Sequence, residues 1–242
     1  MITSGKGAIP LYMQIREFLI AKISKGDWLP GDPIPSEMNL SQELGVSQGT
    51  VRKAVTELVE YNVLRRKQGR GTFVSNHDSQ RALFHFFHIV DDKEQKVMPD
   101  SKVLRCHRKH ASRSETLKLQ LEDRADIIRI ERVRTLSSSP TMIETIILPG
   151  HLFKDWDELD SSNLPNMLYE LYEKQYGITI HSAEERLRAV AASKHDASHL
   201  NLEPGTPLLE IERVALTLNK SPVELRISRC NTRKHHYENT IL

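Results

Sequence analysis

Residues 36–74 contain the feature that most constrains this chain: two short helical patterns separated by a tight turn and followed by a basic hairpin. Ser36 follows a proline and is a good N-cap, so we predict a helix from there to about Leu44. Gly45 can adopt the left-handed conformation that ends a helix, and Ser47 is the next N-cap. This order predicts a winged helix-turn-helix, a module that places one helix in a groove of DNA.

The second helical pattern has one apolar stripe and a polar N-terminal end. The stripe has the spacing of a helix face that packs inward, and it consists of Val51, Ala54, Val55, Leu58 and Val59. The polar residues off the stripe lie near the N-terminus, where the helix dipole favours phosphate, and they are Gln48, Thr50, Arg52 and Lys53. We therefore expect this helix to face nucleic acid.

The hairpin, residues 64–74, carries a cluster of cations formed by Arg65, Arg66, Lys67 and Arg70. Gly69 and Gly71 allow a turn with positive φ between its two strands. Arginine and lysine on a projecting hairpin suit phosphates or a minor groove. A solvated basic turn is the alternative interpretation, and the position directly after a helix-turn-helix pattern favours DNA.

Composition is typical of a globular chain long enough for one large domain or two ordinary ones. The 242 residues are 38% hydrophobic and 27% charged, and no apolar run approaches the roughly 20 residues that span a bilayer. The N-terminus has no apolar signal-peptide region, and two cysteines are too few for a disulfide scaffold or a zinc site alone. We expect a cytoplasmic protein with no cofactor, no bound metal and no membrane partner.

The chain divides into two domains on either side of a polar segment. Before the helix-turn-helix pattern, a helix is predicted for residues 11–25, and a loop rich in proline and glycine then leads to Ser36. We assign residues 1–75 to a DNA-binding domain, the polar residues 76–83 to a linker and residues 84–242 to a second domain.

The second domain mixes strands and hairpins with few helices. Strands are predicted at residues 84–90, 103–110, 127–136, 141–148, 207–218, 222–230 and at the start of 178–191, with turns at 91–94 and 137–140. Helices are predicted at residues 114–121, 164–176 and 194–200. This order favours an α+β domain on an antiparallel sheet.

The runs PLYMQI, KGDWLPGDPIPSE, LSQELGVSQGTVRKAVTEL and VLRRKQGRGTFV resemble the winged helix-turn-helix of the GntR family of bacterial transcription regulators, nearly without gaps over residues 10–74. The resemblance implies DNA contacts from the helix pair and the wing by Met38, Ser47, Gln48, Gly49, Thr50, Arg52, Gln68, Gly69 and Arg70. Lys53 joins this set from the helix pattern alone.

Three of these positions depart from the common GntR pattern. Met38 and Gln48 stand where many members carry arginine, and Gly49 stands where threonine is frequent. Arginine can bind guanine through two hydrogen bonds, whereas glutamine prefers adenine. We therefore expect an operator that differs from the usual one of the family.

Short motifs in the second domain resemble the UTRA effector domain. In order along the chain they are IERVR, residues 142–149, LYEL, PGTPLL and SPVE. This resemblance places the chain in the HutC-type branch of GntR regulators and implies a fold similar to that of chorismate lyase. It also implies a pocket on the sheet that binds a small, often anionic metabolite.

By this resemblance, Arg132 and Arg134 are the leading effector ligands. They lie two apart on one strand, so both point to one face and can fork onto one carboxylate or phosphate. The alternative is a solvated face paired with Glu131 or Glu144. Glu144 could also accept a hydrogen bond from a ligand hydroxyl or brace an arginine.

Four further residues complete the predicted effector site. Tyr169 and Glu224 occupy matching motif positions, and Arg226 lies two residues beyond Glu224 on the same strand face. His88 lies where family members present backbone amides to an anion, although a histidine in an apolar run is more often part of the core. Met167 stands where sugar-phosphate-binding members have serine, and a thioether donates no hydrogen bond, so another small anion is favoured over a phosphosugar.

These patterns predict a homodimeric transcription regulator, acting as a repressor, whose affinity for a roughly palindromic operator is modulated by a small effector. An enzyme is the second hypothesis, because the second domain resembles a lyase fold, but the sequence shows no nucleophile–base constellation and no Gly-rich phosphate loop. An adaptor that binds RNA or a structural partner is the third, and the cationic wing favours duplex DNA instead.

Overall fold

The structure is a computed structural model, and it describes residues 9–75, 86–91, 99–160 and 164–239. The chain divides into two compact units, Met1–His77 and Asp78–Leu242. The predicted linker, residues 76–83, lies outside the described residues, so the proposed domain boundaries stay a prediction. No helix among the described residues is both long and apolar enough to cross a bilayer.

The N-terminal unit contains three helices and a hairpin, namely α1 (Leu11–Ser24), α2 (Glu37–Leu44), α3 (Gln48–Glu60), β1 (Leu64–Lys67) and β2 (Gly71–Val74). Both predicted N-caps form: the Ser36 hydroxyl accepts the backbone N–H of Asn39 at 3.1 Å, and the Ser47 hydroxyl accepts that of Thr50 at 3.2 Å. Gly45 ends α2 with a φ of 66°. The local sequence therefore specifies the helix-turn-helix.

The core of this unit lies between the three helices and the base of the hairpin. Its buried residues are Ile15, Leu19, Leu40, Val51, Ala54, Val55, Leu58, Leu64 and Val74. The predicted α3 stripe is confirmed except at Val59, which is half-buried. The loop before α2 pairs with the outer strand of the hairpin, because the Ile34 N–H donates to the Thr72 carbonyl at 2.9 Å. That loop thereby satisfies a strand edge that would otherwise be open.

The second unit is built on a six-stranded antiparallel sheet and a separate two-stranded pair. Its strands are β3 (Ile89–Asp91), β4 (Asp100–His110), β5 (Asp126–Leu136), β6 (Ser139–Pro149), β7 (Ser182–Ala191), β8 (Pro207–Leu216), β9 (Pro222–Cys230) and β10 (His235–Tyr237). The strand order of the sheet is β4-β5-β6-β9-β8-β7, and β3 pairs with β10. The α-helices whose bounds lie within its described residues are α4 (Arg113–Leu119), α5 (Leu168–Tyr176) and α6 (Lys194–Leu200), and a 3-10 helix spans Trp156–Glu158. The predicted α+β class on an antiparallel sheet is confirmed.

Helices cover both faces of the sheet. On one face α5 packs through Leu168 and Tyr172 against alternate residues of β5 and β6, including Ile130 and Ile146. On the other face α4 and α6 pack against the intervening residues, Ile127, Val133, Ile143, Ile147 and Leu225. Because side chains alternate along a strand, each of these strands is apolar on both sides over much of its length.

Several predicted element boundaries are wrong. The helix predicted at 164–176 begins only at Leu168. Pro165 excludes Leu164 from it, because a proline disfavours helical geometry at the residue before it. The segment 178–191 becomes a strand only at Ser182, and the strand predicted at 207–218 ends at Leu216. The turn predicted at 137–140 contracts to Ser137 and Ser138, whose φ values of 48° and 64° suit a tight hairpin.

The start of the second unit also differs from prediction. Of the strand predicted at 84–90, the described part is extended only from Ile89, and Asp91 ends β3 rather than opening a turn. Residues 84–85 and 92–98 lie outside the described residues. The partner of β3 is β10, near the end of the chain, which the sequence pattern did not predict.

Candidate functional site

The N-terminus of α3 presents a group of small and polar side chains. Ser47, Gln48 and Gly49 are exposed, and Thr50 is half-buried with its hydroxyl 2.7 Å from that of Ser47. A side chain at position 49 would meet only the Ser47 hydroxyl, at 3.9 Å, so the fold itself does not require glycine there. Met38, on the first turn of α2, is 57% exposed.

The wing places three of its predicted contacts at its tip. Gln68, Gly69 and Arg70 are all exposed, and Gly69 has a φ of 68° that favours glycine. The Lys67 ammonium lies over the Phe73 ring, 4.3 Å from its centroid, so this cation packs back onto the hairpin.

Two predicted cations of α3 have protein partners. The Lys53 ammonium lies 3.8 Å from the centroid of the Tyr12 ring, on α1. The Arg52 Nε donates to a carboxylate oxygen of Glu37 at 2.8 Å. Glu37 also accepts from Arg66, at 3.2 Å. The sequence pattern did not single out Glu37, and it placed Arg66 only among the cations of the wing.

In the second unit, a cavity of about 50 Å³ lies on the face of the sheet that α5 covers. Residues 86–89, the start of α5 and Tyr237 of β10 line it together with side chains of four sheet strands. The strand residues are Arg134, Met142, Glu144, Ile211, Arg213, Arg226 and Ser228. An apolar wall with a few convergent polar groups is typical of a small-molecule site.

Of the predicted effector residues, the structure places His88, Arg134, Glu144, Tyr169 and Arg226 on the cavity wall. Arg132 and Glu224 do not line the cavity, and they are 1% and 0% exposed. Each contacts a residue of the wall, Arg132 through Glu144 and Glu224 through Arg226. The alternative for Arg132 and Arg134, a solvated face paired with Glu131 or Glu144, is wrong about solvation because both side chains are buried, but the pairing with Glu144 forms.

Glu144 is the centre of the buried charge cluster. One of its oxygens accepts from Arg132 Nε at 2.5 Å and lies 3.5 Å from Arg134 Nη1, while the other lies 3.6 Å from Arg226 Nη1. The Ser228 hydroxyl donates to that second oxygen at 3.2 Å. Burial alone would raise the pKa of Glu144, but the three arginines outweigh it and hold that pKa far below its usual range.

Glu224 forms a second buried cluster. It accepts two hydrogen bonds from Arg226, at 2.9 and 2.8 Å, and one each from the hydroxyls of Tyr169, at 3.1 Å, and Tyr172, at 2.7 Å. Burial, followed by the Glu224 charge, raises the pKa of Tyr169 to about 12. The tyrosine hydroxyls therefore stay protonated and act as donors to this carboxylate.

The cluster retains unused hydrogen-bonding capacity. Among the described residues, the buried atoms Arg132 Nη2 and Arg134 Nε have no hydrogen-bond partner. Burial, followed by repulsion from Arg132, lowers the pKa of Arg134 to about 9, which still leaves it protonated at neutral pH. Buried donors of positive charge without partners are costly to a protein, and of these two arginines only Arg134 lines the cavity, where a bound anion would satisfy it.

A third cluster was missed by the sequence reasoning. Arg213 Nε donates to Glu185 at 2.6 Å, and Arg213 Nη2 donates to the Phe86 carbonyl. The Tyr237 hydroxyl donates to the second oxygen of Glu185. Arg213 pairs in register with Arg226 across β8 and β9. The sequence did contain a signal, because Arg213 lies on the same strand face as the apolar residues Leu209, Ile211 and Ala215. That the face belongs to the site follows only from the register with β9.

Residues 11–74 match the profile described as bacterial regulatory proteins of the gntR family, and residues 94–236 match the profile of the UTRA domain. The chain belongs to the GntR family. Its combination of GntR and UTRA domains is that of the HutC-type branch, as the sequence motifs predicted. GntR proteins with a UTRA domain are DNA-binding transcription regulators whose activity a metabolite modulates.

Relatives of similar length support this assignment. The HTH-type transcriptional repressor NagR of Bacillus subtilis is 31% identical over 225 residues, which cover 93% of this chain and 91% of that protein. The HTH-type transcriptional regulator GgaR of Escherichia coli is 30% identical over 231 residues, covering 92% and 88%. Both similarities extend through the DNA-binding and effector units.

Solved structures share the fold of this GntR regulator. The ligand-binding domain of a protein assigned to the GntR family, from Bordetella bronchiseptica, is 33% identical with a TM-score of 0.59, covering 65% of this chain and 98% of that one. PhnF from Mycobacterium smegmatis covers 94% and 99% with a TM-score of 0.56, and at 19% identity it shows the fold alone.

Proposed function

We propose that this GntR regulator is a homodimeric repressor that reads its operator with the N-terminus of α3 and the tip of the wing. The proposed DNA contacts are Met38, Ser47, Gln48, Gly49, Thr50, Arg52, Lys53, Gln68, Gly69 and Arg70. Two protomers related by a two-fold axis would read a roughly palindromic operator. Since its partner is chromosomal DNA, we place its action in the cytoplasm.

We propose further that a small anion held by Arg134 releases the protein from DNA. The observation that carries this proposal is Arg134 on the cavity wall, whose buried Nε has no hydrogen-bond partner among the described residues. Four arginines and three glutamates line the cavity or contact its wall, and their formal charges sum to one positive charge, which an anionic ligand would neutralise. They are Arg132, Arg134, Arg213, Arg226, Glu144, Glu185 and Glu224. The aromatic and aliphatic part of the wall suits a ligand that also has an apolar body.

The cavity volume of about 50 Å³ is small against the roughly 300–1,000 Å³ of ordinary ligand pockets. A ligand larger than a simple carboxylate therefore requires the wall to open. Residues 86–89 form part of that wall and lie close along the chain to the N-terminal unit, so opening there offers a route by which effector binding changes operator affinity. The coupling is reciprocal, so operator DNA must weaken effector binding by the same factor.

An enzymatic role is not part of this proposal. Catalysis by proton transfer needs a group whose pKa lies near the working pH. Two titratable groups of the cavity wall do not meet this requirement, because arginines hold Glu144 ionised and burial holds Tyr169 protonated. Among the described residues, no group of three or more His, Cys, Asp or Glu side chains is placed to hold a metal ion.

The first test is fluorescence anisotropy of the purified protein on duplex DNA from upstream of its own gene, with a scrambled duplex as control. We expect selective binding that survives near-physiological salt. A panel of aromatic carboxylates, aliphatic carboxylates and sugar phosphates is then titrated into the complex, and a carboxylate is expected to release the DNA. Equal binding to both duplexes at every salt concentration would contradict the operator proposal, and release by uncharged analogues alone would contradict the anionic effector.

Replacing Arg52 by Ala should weaken binding to the selected duplex by about 1–3 kcal/mol, as expected for an arginine that reads a base or an ordered phosphate. Binding to the scrambled duplex should change less. The measurement is the ratio of the two dissociation constants, and Arg105→Ala, an exposed arginine of β4, is the matched control. An equal loss on both duplexes would assign Arg52 to non-specific phosphate contact.

Replacing Arg70 by Ala should instead lower affinity for all sequences alike. Loss of one phosphate contact reduces the slope of log K against log salt by about one. Titrations at four or five salt concentrations measure that slope, again with Arg105→Ala as the control for charge. An unchanged slope would remove the wing tip from the phosphate contacts.

A further inference from the structure

The Glu37 side chain joins three elements of the DNA-binding unit through one carboxylate. One oxygen accepts from Arg52 Nε of α3 at 2.8 Å, and the other accepts from Arg66 Nη2 of β1 at 3.2 Å. The same Arg66 nitrogen donates to the Thr56 hydroxyl at 2.9 Å. The first residue of α2 is thereby bridged to the middle of α3 and to the wing.

A carboxylate at this position is electrostatically unfavourable for DNA binding by itself. Duplex DNA carries one negative charge per roughly 1.7 Å of its axis, so a negative charge beside its contacts weakens attraction to every sequence. Both arginines of the bridge are exposed, with 61% of the Arg52 side chain and 45% of the Arg66 side chain accessible, while 20% of the Glu37 side chain is accessible. Exposed ion pairs add little stability, so stabilising the fold is a poor explanation for it.

The geometry of the bridge suits a different role. Arg52 uses Nε for Glu37, which leaves its terminal nitrogens, Nη1 and Nη2, for two parallel hydrogen bonds to guanine or to one phosphate. An arginine held in one orientation before binding loses less conformational freedom when the complex forms. Arg66 fixes the same carboxylate from the wing side, so the bridge links the orientation of Arg52 to the position of the wing.

We infer that Glu37 is a positioning residue for operator recognition: it orients the Arg52 guanidinium and couples it to the wing through Arg66. The negative charge of Glu37 lowers affinity for DNA of every sequence, and the orientation that Glu37 gives to Arg52 raises selectivity for the operator. This inference rests on the proposed contact between Arg52 and the operator.

The experiment uses the full-length protein, the duplex selected by it from a random pool and a scrambled duplex. Glu37→Gln removes the charge but keeps the size of the side chain. We expect it to bind the scrambled duplex more tightly than the unchanged protein does, because one repulsive charge is lost. The ratio of selected to scrambled affinity should fall by about 5- to 150-fold, the range for one bidentate base contact.

Glu43→Gln is the matched control, because Glu43 is exposed on the same helix and loses the same charge. It should strengthen binding to both duplexes alike and leave the ratio unchanged. In an Arg52→Ala background, Glu37→Gln should cause no further fall in the ratio, which separates positioning of Arg52 from a direct effect. Arg66→Ala breaks the bridge from the wing side, and it should also lower the ratio even if Glu37→Gln fails to fold.

The outcomes separate this inference from the proposed function. If Arg52→Ala lowers the ratio and Glu37→Gln does not, the positioning role is wrong and the Arg52 contact stands. If neither substitution changes the ratio, the proposed Arg52 contact is itself wrong. A fall in the ratio caused by Glu37→Gln that persists in the Arg52→Ala background would also overturn the inference.

Discussion

Replacing Glu144 by Ala should lower the free energy of unfolding of the second unit by about 3–5 kcal/mol, the usual cost of removing one partner from a buried ion pair. The carboxylate is 2% exposed and contacts Arg132, Arg134 and Arg226. Its loss leaves three buried guanidinium groups with one carboxylate, Glu224, bound to only one of them. This loss is a large part of the total free energy of unfolding of an ordinary domain, which is about 5–15 kcal/mol.

Urea unfolding followed by tryptophan fluorescence measures this loss. Trp156 is buried in the second unit, so a Trp28→Phe background makes the signal report on that unit alone. Glu170→Ala is the matched control, because Glu170 lies in the same unit and forms a surface pair with Lys174 at 2.6 Å. It should cost less than about 1 kcal/mol. A loss of similar size for both variants would show that the buried cluster contributes no more than a surface pair.

The Glu144 contribution should also depend on pH in a defined direction. The arginines hold the folded-state pKa of Glu144 below its unfolded value near roughly 4.3, against the opposing effect of burial. Such a group adds stability above the unfolded pKa, and that stability is lost as the pH falls toward the folded value. The stability difference between the unchanged protein and Glu144→Ala should therefore be full at pH 7 and shrink below about pH 4.

Replacing Arg134 by Met should shift the response to effector to much higher concentrations while leaving effector-free DNA binding unchanged. Truncating one member of a buried charged pair costs about 2–5 kcal/mol in binding, which is roughly 30- to 5,000-fold in effector concentration. Methionine fills a similar volume without a charge, and Glu144 keeps Arg132 and Arg226 as partners. The readout is the effector concentration that releases half of the DNA in the anisotropy assay.

Arg129→Met is the control for this substitution. Arg129 lies on the same strand, faces the other side of the sheet and pairs with Glu115 at 2.7 Å. Its replacement should leave the effector response unchanged. A normal effector response in Arg134→Met, together with a normal unfolding curve, would show that the anion binds elsewhere.

The sequence predicted the DNA-binding unit more accurately than the effector unit because its signals are local. Ser36 and Ser47 cap helices through backbone groups three residues away, and Gly45 ends α2 through its own φ. The apolar stripe of α3 likewise lies within one helix, so its spacing is visible in one short segment of sequence. No partner distant in the chain is needed for these contacts, so pattern alone is sufficient.

The effector site was predicted only in part for the opposite reason. Strand alternation placed Arg132 and Arg134 on one face, but which of them lines the cavity depends on what packs above the sheet. Arg213 reaches the Phe86 carbonyl, 127 residues away in the chain, and Tyr237 reaches Glu185. Contacts over such separations depend on the register of β6, β9 and β8, which a period-two pattern does not specify.

Short-range spacing and residue chemistry are enough to specify the winged helix-turn-helix, the antiparallel α+β class and the presence of arginines suited to an anion. Long-range packing places Arg134 but not Arg132 on the cavity wall, bridges α3 to the wing through Glu37, and brings Tyr237 of β10 to the same wall beside β3. These features arise where distant segments pack together, and the free energy of that packing is shared among residues that no local pattern connects.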